Sequence, residues 1–245
     1  FFFCDMAAKV VLGDITLHAH DVATLRPGGW LGDMVIAYFF ERLAGSSGGG
    51  VVLLEPSTAF TAATLGDADV LREMLSVAPT GGATPLADEL AAANLVLIPV
   101  NDNEDPDAAE GGGHWSLLVF RRHGQEGGAA RFEYYDSLLA SNLAHAKRVA
   151  ATLAPLLLPQ TAGDSAGRLP VACLPTPQQA NGHDCGVYVI AIAAIVAGAP
   201  SEASGQPLSE AVSAAVSALT PAVITAQRRE YHAHLTRALD GGGGQ

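Results

Sequence analysis

The stretch QQANGHDCGVYVI (178–190) places a cysteine, Cys185, between a polar, turn-prone run and a long apolar one. Asn181, Gly182, His183 and Asp184 read as a loop ending in a helix cap, and VYVIAIAAIVAGAP (187–200) reads as a buried helix. A thiol at the N-terminal end of a core helix lies where unpaired backbone N–H groups and the helix dipole favour a thiolate. That environment suits a nucleophile. An isolated buried cysteine is more often a packing residue, so the reading depends on partners elsewhere in the chain.

Outward from this segment the chain alternates helices with a few strands. WLGDMVIAYFFERL (30–43) has apolar residues at helical spacing after the Pro-Gly-Gly break at 27–29. STAFTAATL and DADVLREMLSV read as two helices with Ser57 and Asp67 as candidate caps. NLVLIPVN (94–101) is continuously apolar, as a central strand is. HWSLLVFR (114–121) and RFEYYDS (131–137) read as strands joined by a glycine-rich turn. The acidic loop 102–113 between the first two reads as mobile by composition. SNLAHAKRVAATLAPLLL (141–158) is an amphipathic helix with Ser141 as candidate cap, VACLP (171–175) is a short strand, and two helices close the chain. The pattern is α+β: a central mixed sheet flanked by helices, in one domain over 9–239, with 1–8 and 240–245 expected to be disordered extensions.

Composition limits the function classes. The 245 residues suffice for a full core, and 49% hydrophobic with 16% charged residues describes a globular chain. The net charge of −12, with no basic stripe, argues against nucleic acid and anionic membranes and suits a protein partner with basic patches. Three cysteines, Cys4, Cys173 and Cys185, without metal-type spacing, argue against a disulfide framework and for an intracellular, reducing location. The uncharged run 186–200 is too short to span a bilayer, and the opening FFFC lacks the flank and length of a signal peptide.

A nucleophilic cysteine needs a base, and the base needs an orienting acceptor. His114 opens one strand straight after three glycines, and Asp136 ends the next. Antiparallel pairing of the two strands brings His114 and Asp136 together across the sheet. The oxyanion of an acyl-transfer intermediate needs donors as well. The Cys185 N–H is one, and the side-chain amide of Gln178 or Gln179 is another, the spacing leaving both open. Other groups are weaker. His232 and His234 lie two apart on a helix and make a poor metal pair. EDPD (104–107) lacks the pattern of a calcium loop, and no phosphate-binding glycine loop is present. The residues call for no metal and no organic cofactor.

WLGD (30–33), NDN (101–103), GGGHWSLLVF (111–120), YYDSL (134–138) and PQQANGHDCGVYVI (177–190) together resemble the ubiquitin-like-protein proteases, the sentrin/SUMO-specific family of cysteine peptidases. YYDSLLASNLAHAKRVA (134–150) and LTPAVITAQRREY (219–231) are similar to its deneddylating branch. The resemblance implies a papain-like fold with His114 as general base, Asp136 as its carboxylate, Cys185 as nucleophile and Gln179 at the oxyanion hole. Trp30 and Trp115 resemble the walls of a tunnel that admits an extended Gly-Gly tail, since only glycine has no Cβ to meet the indoles. Asp33 resembles a polar contact to the tail or modifier body. The implied partner of this expected monomer is a ubiquitin-like modifier of the Nedd/Rub type, with SUMO as the alternative. A catalytically silent modifier-binding module is the reading from another class.

Overall fold

The computed structural model describes residues 9–45, 50–79, 83–105, 111–122, 129–159, 169–199 and 208–241. The expected disorder of 1–8, the turn at 123–128 and the middle of the acidic loop lie outside them, as does most of 240–245.

The architecture follows from a five-stranded mixed sheet. Its strands are β3 (Val51–Leu53), β4 (Leu95–Asn101), β5 (Trp115–Arg121), β6 (Arg131–Tyr135) and β7 (Val171–Cys173), in that spatial order. β4–β5 and β5–β6 are antiparallel, whereas the outer pairs β3–β4 and β6–β7 are parallel. β1 (Lys9–Leu12) and β2 (Ile15–His18) form a separate hairpin. β4 and β5 each have five successive buried positions, so both faces of the sheet are covered.

The pleat sends alternate residues into two cores. Leu97, Leu117, Val119 and Tyr135 join a cluster with α2 (Asp33–Ala44), α7 (Cys185–Gly198), α8 (Leu208–Ser217) and α9 (Pro221–Gly241). Val96, Ile98, Leu118, Phe120, Phe132 and Tyr134 face α3 (Pro56–Leu65), α4 (Ala68–Leu75), α5 (Leu86–Ala92) and α6 (Leu143–Leu157). α7 carries no charged residue and is buried from Cys185 through Ala193, which explains its uniformly apolar sequence.

The caps differ from the sequence reading at two of three places. Asp67 does cap α4, accepting from the amides of Asp69 and Val70. Ser57 does not cap α3: Pro56 takes the first helical position and Glu55 becomes the N-cap. Ser141 does not cap α6 either, because the turn before it continues one residue further and Asn142 is the N-cap. α2 begins at Asp33 rather than Trp30, with Gly32 as its N-cap. α1 (Ala19–Ala23) and α5 are short helices that the apolar pattern did not signal.

One close approach fixes how α7 meets the rest. A Cβ built on Gly186 would lie 2.9 Å from the Leu31 Cβ, so only glycine lets the 30–32 segment seat against the first turn of α7. Gly186→Ala is expected to destabilise the protein by about 1–3 kcal/mol through overpacking, read as a lower melting temperature.

Candidate active site

The site gathers where β5 begins, β6 ends and two helices start. The register Leu117↔Tyr135 sets Asp136 beside Ser116, two residues along from His114. The imidazole reaches diagonally, and its Nε2 lies 2.6 Å from Asp136 Oδ1. Both residues are buried, His114 at 5% exposure, so the ring sits inside the molecule at the end of a central strand and not at an open sheet edge.

Asp136 is the acceptor for four donors. Oδ1 also takes the Leu138 amide at 2.8 Å, and Oδ2 takes the Tyr134 hydroxyl at 2.6 Å and the Asn142 amide at 3.2 Å. Burial alone would raise the Asp136 pKa, but the bonds from His114 and Tyr134 hold it below its ordinary value, so it remains a carboxylate. Burial likewise works against a charged His114. The hydrogen bond to Asp136, the neighbouring Cys185 and the Asp136 charge outweigh it, and raise the imidazole from 6.5 to about 9.

Nε2 is engaged with Asp136, whereas the buried Nδ1 has no hydrogen-bond partner. Cys185 acts on the same ring, which leaves Nδ1 as the atom available to its sulfur. Cys185 is the first residue of α7, buried, and its thiol is free. The arrangement brings together a thiol, an imidazole and a carboxylate, the set that nucleophilic acyl transfer requires.

The two glutamines differ in what their amides already do. Gln178 Nε2 donates to the carbonyls of Asp136 and Thr176, and its Oε1 accepts the Leu139 amide at 2.7 Å. Gln179 accepts from the Ser137 hydroxyl at 2.8 Å and gives one N–H to Asn181 O at 2.7 Å, leaving its second N–H. Gln178 is thus a clip for the turn after Asp136, and Gln179 retains a donor.

The remaining expected residues frame this centre. Trp115 Nε1 donates to Leu31 O at 3.0 Å. Trp30 is 53% exposed, and its indole lies beside Gly113, where a Cβ would be 3.5 Å from the ring. Asp33 is exposed at the start of α2, with Oδ1 accepting the Met34 amide at 2.8 Å.

Several site-building residues escaped the sequence reading. Asp102 Oδ1 receives the amides of Gly113 and His114, at 2.6 and 2.9 Å, and so closes the acidic loop at the base of His114. Gly112 has φ +87°, and a Cβ there would lie 1.9 Å from Asn101 Oδ1, so the turn requires glycine. Asn142 Nδ2 bridges Val100 O and Ser116 Oγ. Arg228, on α9, is buried and bound to Asp184. Its signal was phase: it falls on the buried stripe with Ile224, Leu235 and Leu239. Among the described residues no group of three or more His, Cys, Asp or Glu is placed to hold a metal ion, and no helix is long and apolar enough to cross a membrane.

Comparison with known proteins bears on this geometry. Residues 80–229 match the model of the Ulp1 protease family C-terminal catalytic domain. The chain is 32% identical over 184 residues to NEDD8-specific protease 1 of Arabidopsis thaliana, covering 75% of this chain and 72% of that protein. It is 32% identical over 224 residues to sentrin-specific protease 8 of Homo sapiens, covering 89% and 91%. Among solved structures, the C-terminal Ulp1 protease domain in complex with Smt3, the yeast ortholog of SUMO, superposes with a TM-score of 0.60 at 20% identity, covering 95% of this chain and 89% of that one. At that identity the likeness is one of fold.

In an NMR titration the His114 ring is expected to change protonation near pH 9, and in Asp136→Asn well below it, because the imidazolium loses its carboxylate. The stability linked to this raised value is fully present below pH 6.5 and is lost as pH rises through about 9. A His114 that titrates near 6.5 in the intact protein would mean that burial offsets the pull of Asp136 and Cys185.

Proposed function

The chain belongs to the Ulp1 protease family of cysteine peptidases, whose members act on ubiquitin-like modifiers, and we propose that it is a deneddylase. In this reading it cleaves after the C-terminal Gly-Gly of a Nedd/Rub-type modifier, either in its precursor or in a lysine conjugate. Residues 9–239 form its catalytic domain, and it acts as a monomer. The observation that carries the proposal is the buried imidazole with Asp136 on one nitrogen and Cys185 available to the other. The choice of modifier is supported by the relative named NEDD8-specific protease 1.

In the proposed reaction Cys185 gives its proton to His114, and the thiolate sulfur adds to the carbonyl carbon of the modifier's last glycine. The carbonyl π electrons move to oxygen, where the Cys185 N–H and the remaining Gln179 N–H bind the oxyanion. On collapse the C–N bond breaks, and the imidazolium protonates the departing amine. Water then gives a proton to neutral His114 and attacks the thioester, and the thiolate leaves. Asp136 keeps the ring oriented throughout and stabilises it each time it is protonated. Trp30 and Trp115 flank the entering Gly-Gly tail, and Asp33 contacts the tail or the modifier body.

Gln179→Ala is expected to lower kcat by about 100-fold, the loss seen when one oxyanion donor is removed, with KM nearly unchanged in steady-state hydrolysis. Cys185→Ala should bind modifier without turning it over, and hydrolysis at the wild-type rate would end the peptidase assignment. Modifiers carrying a C-terminal electrophile, offered as Nedd, SUMO and ubiquitin forms, should label Cys185 fastest with Nedd. Labelling by SUMO alone would make the protein a SUMO protease of the same family.

A further inference from the structure

We propose that Arg228 is a positioning residue that sets the nucleophile loop, the oxyanion glutamine and the Trp30 wall in one register, an inference that rests on the peptidase reading above.

Arg228 is 3% exposed, and its guanidinium serves two loops at once. Nε donates to Asp184 Oδ1 at 2.7 Å and one terminal nitrogen donates to His183 O, both just ahead of Cys185. The other terminal nitrogen donates to Thr24 O at 3.2 Å and Gly29 O at 3.0 Å, in the turn that leads into Trp30. That turn is tight: a Cβ on Gly29 would lie 2.4 Å from Thr24 O.

The effect passes onward through fixed bonds. Asp184 Oδ2 accepts from Asn181 Nδ2 at 2.8 Å, and Asn181 Oδ1 in turn accepts the amides of His183 and Asp184. Asn181 O is the acceptor that holds the Gln179 amide. On the other side, Leu31 packs on Gly186 and accepts the Trp115 indole N–H. One planar cation therefore reaches the helix that carries Cys185, the Gln179 side chain and the segment between the two tryptophans. A guanidinium fits this fork of acceptors, whereas a lysine ammonium supplies the charge at a single point.

The test compares Arg228→Lys, the charge-matched pair Arg228→Met/Asp184→Asn and Arg229→Met, an exposed neighbour. Pairing the second substitution avoids leaving Asp184 buried without its partner. Each protein is followed by thermal melting, by iodoacetamide alkylation of Cys185, and by hydrolysis of a fluorogenic Nedd C-terminal amide with kcat and KM resolved. Arg229→Met should match the wild type. Both Arg228 proteins should melt cooperatively and alkylate several-fold more slowly; the paired variant should lose about 100-fold in kcat, the scale of a small misplacement of reacting groups, and Arg228→Lys less. Rates are compared in whichever Arg228 protein melts cooperatively. Wild-type kcat and alkylation there overturn the proposal, and so does loss of the cooperative melt in both, which would make Arg228 a residue of the fold alone. Slower alkylation alongside a wild-type protein that cleaves no modifier would sustain the positioning role and remove the substrate assignment.

Discussion

The buried Asp136 carboxylate is the constraint around which the site is arranged. A charge held away from water is costly unless it is paired and its lone pairs are filled. Asp136 meets that demand with the imidazole of His114, the hydroxyl of Tyr134 and two backbone amides. Each donor comes from a different structural commitment. His114 depends on the β5–β6 register, Tyr134 on the pleat of β6, and Leu138 and Asn142 on the path of the following turn. A slip of one residue in that register would exchange Tyr134 with Tyr135 between the two cores and strip the carboxylate of its donors.

The same carboxylate explains the backbone of the turn. Leu139 and Ala140 take φ +49° and +57°, a conformation that costs energy for residues with a Cβ. The turn is nonetheless held at each step: Leu138 N and Asn142 N on Asp136, Leu139 N on Gln178, and Ser141 N on Leu138 O. This left-handed excursion aims two amides back at Asp136 and lets Asn142 cap α6. Helices from both layers consequently present their N-termini to the end of the sheet, α6 to the carboxylate and α7 with Cys185. Both N-termini favour negative charge.

Much of this was legible in the sequence. The central strands announced themselves as continuous apolar runs, α7 as a helix apolar all round, and His114, Asp136 and Cys185 as residues that antiparallel pairing would join. What stayed hidden depended on contacts remote in sequence. Ser57 and Ser141 had the chemistry of caps, but Pro56 starts α3 one residue ahead of Ser57, and the turn at 139–140 delays α6 until after Ser141. α5 has seven residues, too few for periodicity to show. Arg228 lies on the stripe of α9 that also carries Ile224 and Leu235, a phase that marks it as inward-facing. The two glutamines were indistinguishable by spacing and differ only in which of their N–H groups the fold already uses.

The described ends of the acidic loop before His114 are tied down by hydrogen bonds. Glu104 receives His145 and Arg148 of α6, and Asp102 receives the amides of Gly113 and His114. The glycines are there because Gly111 and Gly112 run against the side chains of Asn103 and Asn101, with no room for a Cβ. His114 is thus held twice, by its backbone through Asp102 and by its ring through Asp136. An imidazole fixed in this way needs little reorganisation when charge develops beside it, the condition under which preorganised polar groups contribute most. The acidic residue of the NDN segment therefore acts on the imidazole through the main chain and belongs to the same polar frame as Asp136.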